Sequence, residues 1–178
     1  MVAVLRWPND TSVSMSASDN VNGAWLPAGS QASETVGPHS SQLFYLANTS
    51  AGAVTVTATL SNGAAEALYV ECTELTGIAS ANVLDGSPST AATSGASTAT
   101  SLAVGPVSTT NNNDVLVLGC ATDLGVKFVP DTGFINLQMQ SREALEFASV
   151  TASASYSQAC KSGSAHYTGN LAAFRQAH

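Results

Sequence analysis

The chain has 178 residues, 44% of them hydrophobic and only 10% charged, with 5 Lys and Arg against 12 Asp and Glu and a formal net charge of -7. So few basic residues exclude a nucleic-acid surface, which works by counterion release from clustered Lys and Arg, and equally a docking face for anionic lipid. No window approaches the roughly 18 apolar residues of a spanning helix, and the length suits one domain, residues 1–178, with a core of its own.

The first element is a strand, Val2 to Trp7 (V-A-V-L-R-W). No basic segment precedes it and Arg6 and Trp7 interrupt the apolar run, so it does not resemble a signal peptide. A chain that begins directly on a strand reads as an excised or N-terminally truncated module. A second strand is expected over Thr11 to Met15. The turn S-D-N-V-N-G follows, where Asp19, Asn20 and Asn22 place oxygen ligands ahead of Gly23 and make calcium the one cofactor to consider. The distal position that a calcium loop fills with glutamate is Ser30, so an Asx-rich turn is the preferred reading. Trp25 sits at a loop edge before L-P-A-G; it either caps the core, the favoured reading, or presents a ring to a sugar.

The next strands are expected over Gln42 to Ala47 and Ala53 to Leu60. In A-V-T-V-T-A-T-L, Val54, Val56, Ala58 and Leu60 share one face and Thr55, Thr57 and Thr59 the other, a half-wet antiparallel pattern. Ala65 to Thr73 carries Tyr69, Glu71 and Cys72; alternation sets Glu71 with Tyr69 and Thr73, opposite Leu68, Val70 and Cys72, so the carboxylate is expected on the wetter face, paired with Arg142 or Arg175. Glu74 falls in the turn that ends at Gly77. The low-complexity stretch Ser87 to Thr100 reads as a long surface connection or an edge strand of small residues. Strands are then expected over Ala99 to Val104, Asp114 to Ala121, Phe134 to Met139, Leu145 to Ala154 and Tyr167 to Arg175, separated by turns such as T-N-N-N-D and P-D-T-G. Helical periodicity is almost absent and no internal repeat occurs. The expected fold is all-β, a two-sheet antiparallel sandwich of the jelly-roll or immunoglobulin-like kind with nine or ten strands.

Three cysteines, Cys72, Cys120 and Cys160, have no C-x-x-C spacing, which argues against a metal or redox site. Each reads as a small buried hydrophobe; Cys72 with Cys120 is the first disulfide to test. A pair of carboxylates is the minimum for glycoside hydrolysis, and Glu71, Glu74, Glu143 and Glu146 are the candidates. There is no G-x-S-x-G elbow, and His39, His166 and His178 are isolated loop residues, with His166 the low-ranked catalytic candidate.

The order of motifs resembles the Ser/Thr/Gly-rich β-sandwich modules of large surface or secreted bacterial proteins. The matching stretches are S-D-N-V-N-G-A-W, L-F-Y-L-A-N-T-S-A-G-A-V-T-V-T-A-T-L, Y-V-E-C-T-E-L-T-G-I-A-S-A-N-V-L-D-G, N-N-N-D-V-L-V-L-G and L-A-A-F-R-Q. Cys72 stands where those modules carry an aromatic, and Thr73 to Gly77 lengthens the turn after it. The resemblance implies a sandwich fold in an extracellular or cell-surface setting, with neighbouring modules as partners and no assigned activity. The expected function is therefore a non-catalytic module with a structural, adhesive or glycan-binding role. The alternatives are a carbohydrate-binding module proper, using Trp25, Tyr69 and Glu71, and a small glycan-active hydrolase or lyase using paired carboxylates.

Overall fold

The computed structural model describes residues 1–8, 12–63, 68–93 and 95–177, and residue 138 in its backbone only. Among these residues there is no helix, and all strand pairings are antiparallel. The all-β expectation holds. The described strands are β1 (Val2–Pro8), β2 (Met15–Asp19), β3 (Gly23–Ala24), β4 (Leu26–Pro27), β5 (Ala32–Glu34), β6 (His39–Tyr45), β7 (Val56–Leu60), β8 (Tyr69–Thr73), β9 (Ser89–Ala92), β10 (Ala99–Ser108), β11 (Asp114–Thr122), β12 (Ile135–Met139), β13 (Glu143–Val150), β14 (Ser155–Ala165) and β15 (Tyr167–Arg175).

Two five-stranded sheets form the centre. One runs β4-β6-β1-β8, with β5 also paired to β6; the other runs β12-β13-β11-β15-β9. They face each other through Val2, Val4 and Leu43 on one side and Val115, Val117, Leu145, Ala172 and Phe174 on the other. Gly119 permits this approach: a Cβ there would stand 2.9 Å from Val4 Cγ2 and 3.0 Å from Leu43 Cδ2.

Each central sheet is covered on its outer face as well. The ribbon β3-β2-β7 lays Met15, Ala17 and Leu60 on Ala3, Leu5, Trp7 and Phe44. The ribbon β10-β14 lays Val104, Val107 and Cys160 on Leu116, Leu118, Cys120 and Leu171. The expected pair of sheets with nine or ten strands is thus corrected to fifteen strands, among the described residues, in four packed layers. The reason is visible in β1 and β11, whose side chains are buried on both faces almost throughout. Such strands read as continuous apolar runs rather than alternating ones.

The segment leading into and forming β7 keeps the expected alternation, with Thr55, Thr57 and Thr59 exposed and Leu60 buried. Ser89–Ala92 forms an edge strand against β15, one of the two readings open to that low-complexity stretch. The second strand, expected over Thr11 to Met15, is corrected to Met15–Asp19: residues 12–14 are turn and coil, and residue 11, residues 65–67 of the Glu71 strand and His178 lie outside the described residues.

The disulfide expectation is corrected. Cys120 bonds Cys160, with Cα atoms 5.6 Å apart, and Cys72 is free. Cys120 points from β11 toward the β10-β14 ribbon, whereas Cys72 packs on the far side of the other central sheet, against the cluster that contains Trp7 and Trp25. A whole sheet separates them.

Candidate carboxylate cleft

The β8 edge of one central sheet lies over the β12-β13 edge of the other, and a polar seam runs between them. Alternation along β1 puts Val2 and Val4 into the apolar half of the inter-sheet core, and Arg6, two residues on, into the polar half. Arg6 is 4% exposed. Its Nε donates to the carbonyl of Thr122 at 3.0 Å and stands 3.7 Å from Glu143 Oε1, and its guanidinium carbon is 5.0 Å from the centroid of the Tyr69 ring. Glu143 opens β13 opposite Ala121, and Glu71 pairs with Val4 across β1 and β8.

The strand alternation expected for Glu71 is correct, but its consequence is reversed. Tyr69, Glu71 and Thr73 point toward the opposing sheet, so Glu71 is 5% exposed, while Val70 on the other face is 37% exposed. Neither arginine expected to pair with it does so. Arg175 pairs with Asp85 at 3.2 Å, Arg142 donates through Nη1 to the carbonyl of Asp123, and the Glu71 carboxylate instead receives a hydrogen bond from Gln140.

Glu71 and Glu143, on strands about 70 residues apart in sequence, line one cavity of about 220 Å³ with Leu68, Tyr69, Gln140 and Ser141. Neither carboxylate oxygen of Glu143 has a hydrogen-bond partner, and the residue is fully buried. Burial pushes its carboxyl up to about 7; Arg6 pulls the other way and the like charge of Glu71 adds to the rise. Burial also raises Glu71, with the Gln140 hydrogen bond opposing it. Two carboxyls in one desolvated cleft cannot both ionise cheaply, and burial is the first cause of the rise in each. A second depression, of about 390 Å³, borders the cleft through Gln140 and Ser141 and adds Gly125, Val126, Lys127 and Met139 to its walls.

The remaining candidates lie elsewhere. Glu146 is on the opposite face of β13, where it accepts from the amide of Asp131 at 3.1 Å, and burial brings its carboxyl to about 7. Glu74 is exposed in the turn after β8. His166 is 8% exposed rather than a solvated loop residue. Its Nδ1 meets Asp123 Oδ2 at 2.9 Å while its amide donates to Asp123 Oδ1 at 2.9 Å. His39 is buried too, with Nδ1 2.6 Å from the carbonyl of Gly37. No serine or cysteine partners the second ring nitrogen of His166, Nε2, among the described contacts, so the pair acts as a clamp between β11 and β15. A Cβ on Gly37 would come within 2.2 Å of Asp123 Oδ2 and 2.7 Å of His166 Nδ1. Gly37→Ala is therefore expected to break the clamp and cost about 1–3 kcal/mol by overpacking, read as a lowered melting temperature.

Trp25 is 4% exposed and donates through Nε1 to Asp19 Oδ2 at 2.8 Å. It is a core residue, which removes the ring from any sugar surface. Asp19 also accepts from the amides of Val21 and Asn22 at 2.8 and 2.5 Å. Asn20 and Asn22 bind the backbone of the 50–55 loop, accepting from Thr55 and Ser50 at 2.6 and 2.8 Å. Burial alone would raise the Asp19 carboxyl, but these donors from Asn22, Trp25 and Val21 bring it to about 2. All three calcium candidates are engaged as turn ligands. Among the described residues no group of three or more His, Cys, Asp or Glu side chains is placed to hold a metal ion.

A further cavity, of about 180 Å³, opens at the other end of the inter-sheet core and is lined by Val2, Tyr45, Leu75, Ile78 and Phe174 among others. It brings no carboxylate, histidine or thiol to its walls.

No protein family, curated protein or solved structure matches this chain.

Proposed function

We propose that the chain is an extracellular β-sandwich module of a larger bacterial surface or secreted protein, and that it holds a polysaccharide or cell-surface glycan in the cleft between β8 and the β12-β13 edge. The observation that carries this reading is the make-up of the cleft. Tyr69 offers an aromatic surface beside the carboxylate of Glu71, the amide of Gln140 and the hydroxyl of Ser141. Sugars are recognised by this combination, a ring against the apolar pyranose face and a few polar groups that orient the hydroxyls. The adjoining depression past Gln140 and Ser141 lengthens the groove, which suits a polymer better than an isolated small molecule. A net charge of -7 favours a neutral glycan over a polyanion. The Cys120–Cys160 bridge supports an oxidising setting.

Affinity electrophoresis through gels containing soluble neutral polysaccharides tests the reading. Retardation by at least one of xylan, mixed-linkage β-glucan, mannan or starch is expected, weakened about tenfold or more by Tyr69→Ala in a variant that still melts cooperatively. Migration unaffected by every polymer, or retardation indifferent to Tyr69→Ala, would overturn it.

A further inference from the structure

We propose that the Glu71–Glu143 cleft is an acid–base site that hydrolyses the neutral polysaccharide it holds. This rests on the glycan-binding reading and adds a reaction to it. The geometry supplies the parts that hydrolysis of a glycosidic bond requires. Two glutamates line one cavity from opposing sheets, Glu71 from β8 and Glu143 from β13. Glu143 is fully buried and neither oxygen accepts a hydrogen bond, its ion-pair neighbour there being Arg6 at 3.7 Å, although a carboxyl in that position ordinarily recruits donors. A buried acid without a hydrogen-bond donor to hold its carboxylate is poised to give its proton to a group that enters the cavity it lines.

In the hydrolytic step Glu143, as the acid, donates its proton to the glycosidic oxygen while the bond from that oxygen to the anomeric carbon breaks. A water molecule forms the new bond to the anomeric carbon, and its proton passes to the Glu71 carboxylate. One water is consumed, a reducing end and a free hydroxyl are released, and the proton returns from Glu71 to Glu143 through solvent before the next turnover. Arg6, 3.7 Å from Glu143, is a positioning residue: it takes up the negative charge left on Glu143 after donation, and it is itself held by the Thr122 carbonyl and the Tyr69 ring. Gln140 holds the Glu71 carboxylate by a hydrogen bond. The burial that raises the Glu143 carboxyl keeps the acid protonated at working pH.

The test incubates the purified chain with xylan, mixed-linkage β-glucan, mannan and starch and counts new reducing ends from pH 4 to 8, with affinity electrophoresis on the same polymers. Release from a retained polymer is expected, falling as pH rises through about 7. Glu143→Gln and Glu71→Gln should each reduce turnover about 100-fold or more while the polymer is still retained. Arg6→Lys should shift the falling limb of the pH profile, an effect that a purely structural arginine would not have. Retention without release, or release that survives both Glu→Gln variants, overturns the catalytic proposal and leaves binding standing. Absence of retention and of release overturns both readings. If Glu143→Gln does not fold, Glu71→Gln decides the outcome.

Discussion

Reduction of the Cys120–Cys160 bridge, or the Cys120→Ala/Cys160→Ala double variant, is expected to cost about 4 kcal/mol of stability. The bridge joins residues separated by 40 positions, and closing a loop of that length removes roughly this much chain entropy from the unfolded state. It also ties β11, the middle strand of a central sheet, to β14 in the outer ribbon, so its loss acts where the β10-β14 layer meets the core. Urea unfolding with and without reductant measures the difference. The loss should fall on the midpoint, and a midpoint unchanged by reductant would show that the ribbon is held by packing alone. Cys72, half-buried on the other side of the molecule, should contribute little, and Cys72→Ser serves as the control.

The second large effect is on pH dependence. Glu143 and Glu146 rise from an ordinary value of 4.5 to about 7, chiefly through burial. A carboxyl raised in the folded state binds its proton more tightly there than in the unfolded chain. Its contribution is therefore full below pH 4.5 and is lost as pH climbs from 4.5 through 7. At about 1.4 kcal/mol per unit, each glutamate loses on the order of 2 to 3 kcal/mol across that window. Asp114 behaves alike at lower pH: burial and the neighbouring Asp85 raise it from 3.8 to about 6. His166 adds to the same trend, because its hydrogen bond to Asp123 raises it and that stabilisation fades above its folded value. His39 opposes, since burial lowers it and protonation in acid costs stability.

On the acid side the signs reverse. Burial alone would raise Asp85, but donors from Thr110 and Asn111 hold it well below the usual carboxylate range, and Asp123 and Asp131 are lowered by their partners. Their contributions are present above the ordinary value of 3.8 and are lost as pH falls below it. The melting temperature should accordingly peak near pH 4.5 to 5 and decline by roughly 10 °C or more toward pH 8. Glu143→Gln, which fixes the neutral form, should remove about a third of that decline. A melting temperature that is flat or rises between pH 5 and 8 would show that these carboxyls ionise freely in the folded protein.

Much of the fold was legible as pattern. The Thr/Val alternation of residues 54–60, the Asx turn around Asp19 and the last strand, Tyr167–Arg175, all appear as read, because each depends on local chemistry. β14 was not legible. In S-Y-S-Q-A-C-K-S-G-S-A, serines and glycine occupy the exposed positions and only Cys160 and Ala165 are fully buried, so alternation has almost no contrast there. The short strands β3, β4 and β5 were missed for a different reason: two or three residues are too few to show any period.

The candidate cleft was half legible. Glu71 and Glu143 stood out as carboxylates, and Tyr69 as an aromatic beside one of them. Arg6 was passed over, although a lone charge inside V-A-V-L-R-W was the signal for a buried counter-charge. Trp25 was equally visible, and only its packing on Asp19 decided that it belongs to the core.

By itself, then, the sequence determined the class of structure. Period-two patterning and turn chemistry commit the chain to antiparallel strands. The tertiary structure alone decided how many layers those strands form, which cysteine Cys120 bonds, and that Glu71 meets Glu143. The physical reason is the reach of each effect. Alternation specifies which face a side chain takes, but whether that face is wet depends on what packs over it, and the strands that carry Glu71 and Glu143 are separated by about 70 residues of sequence.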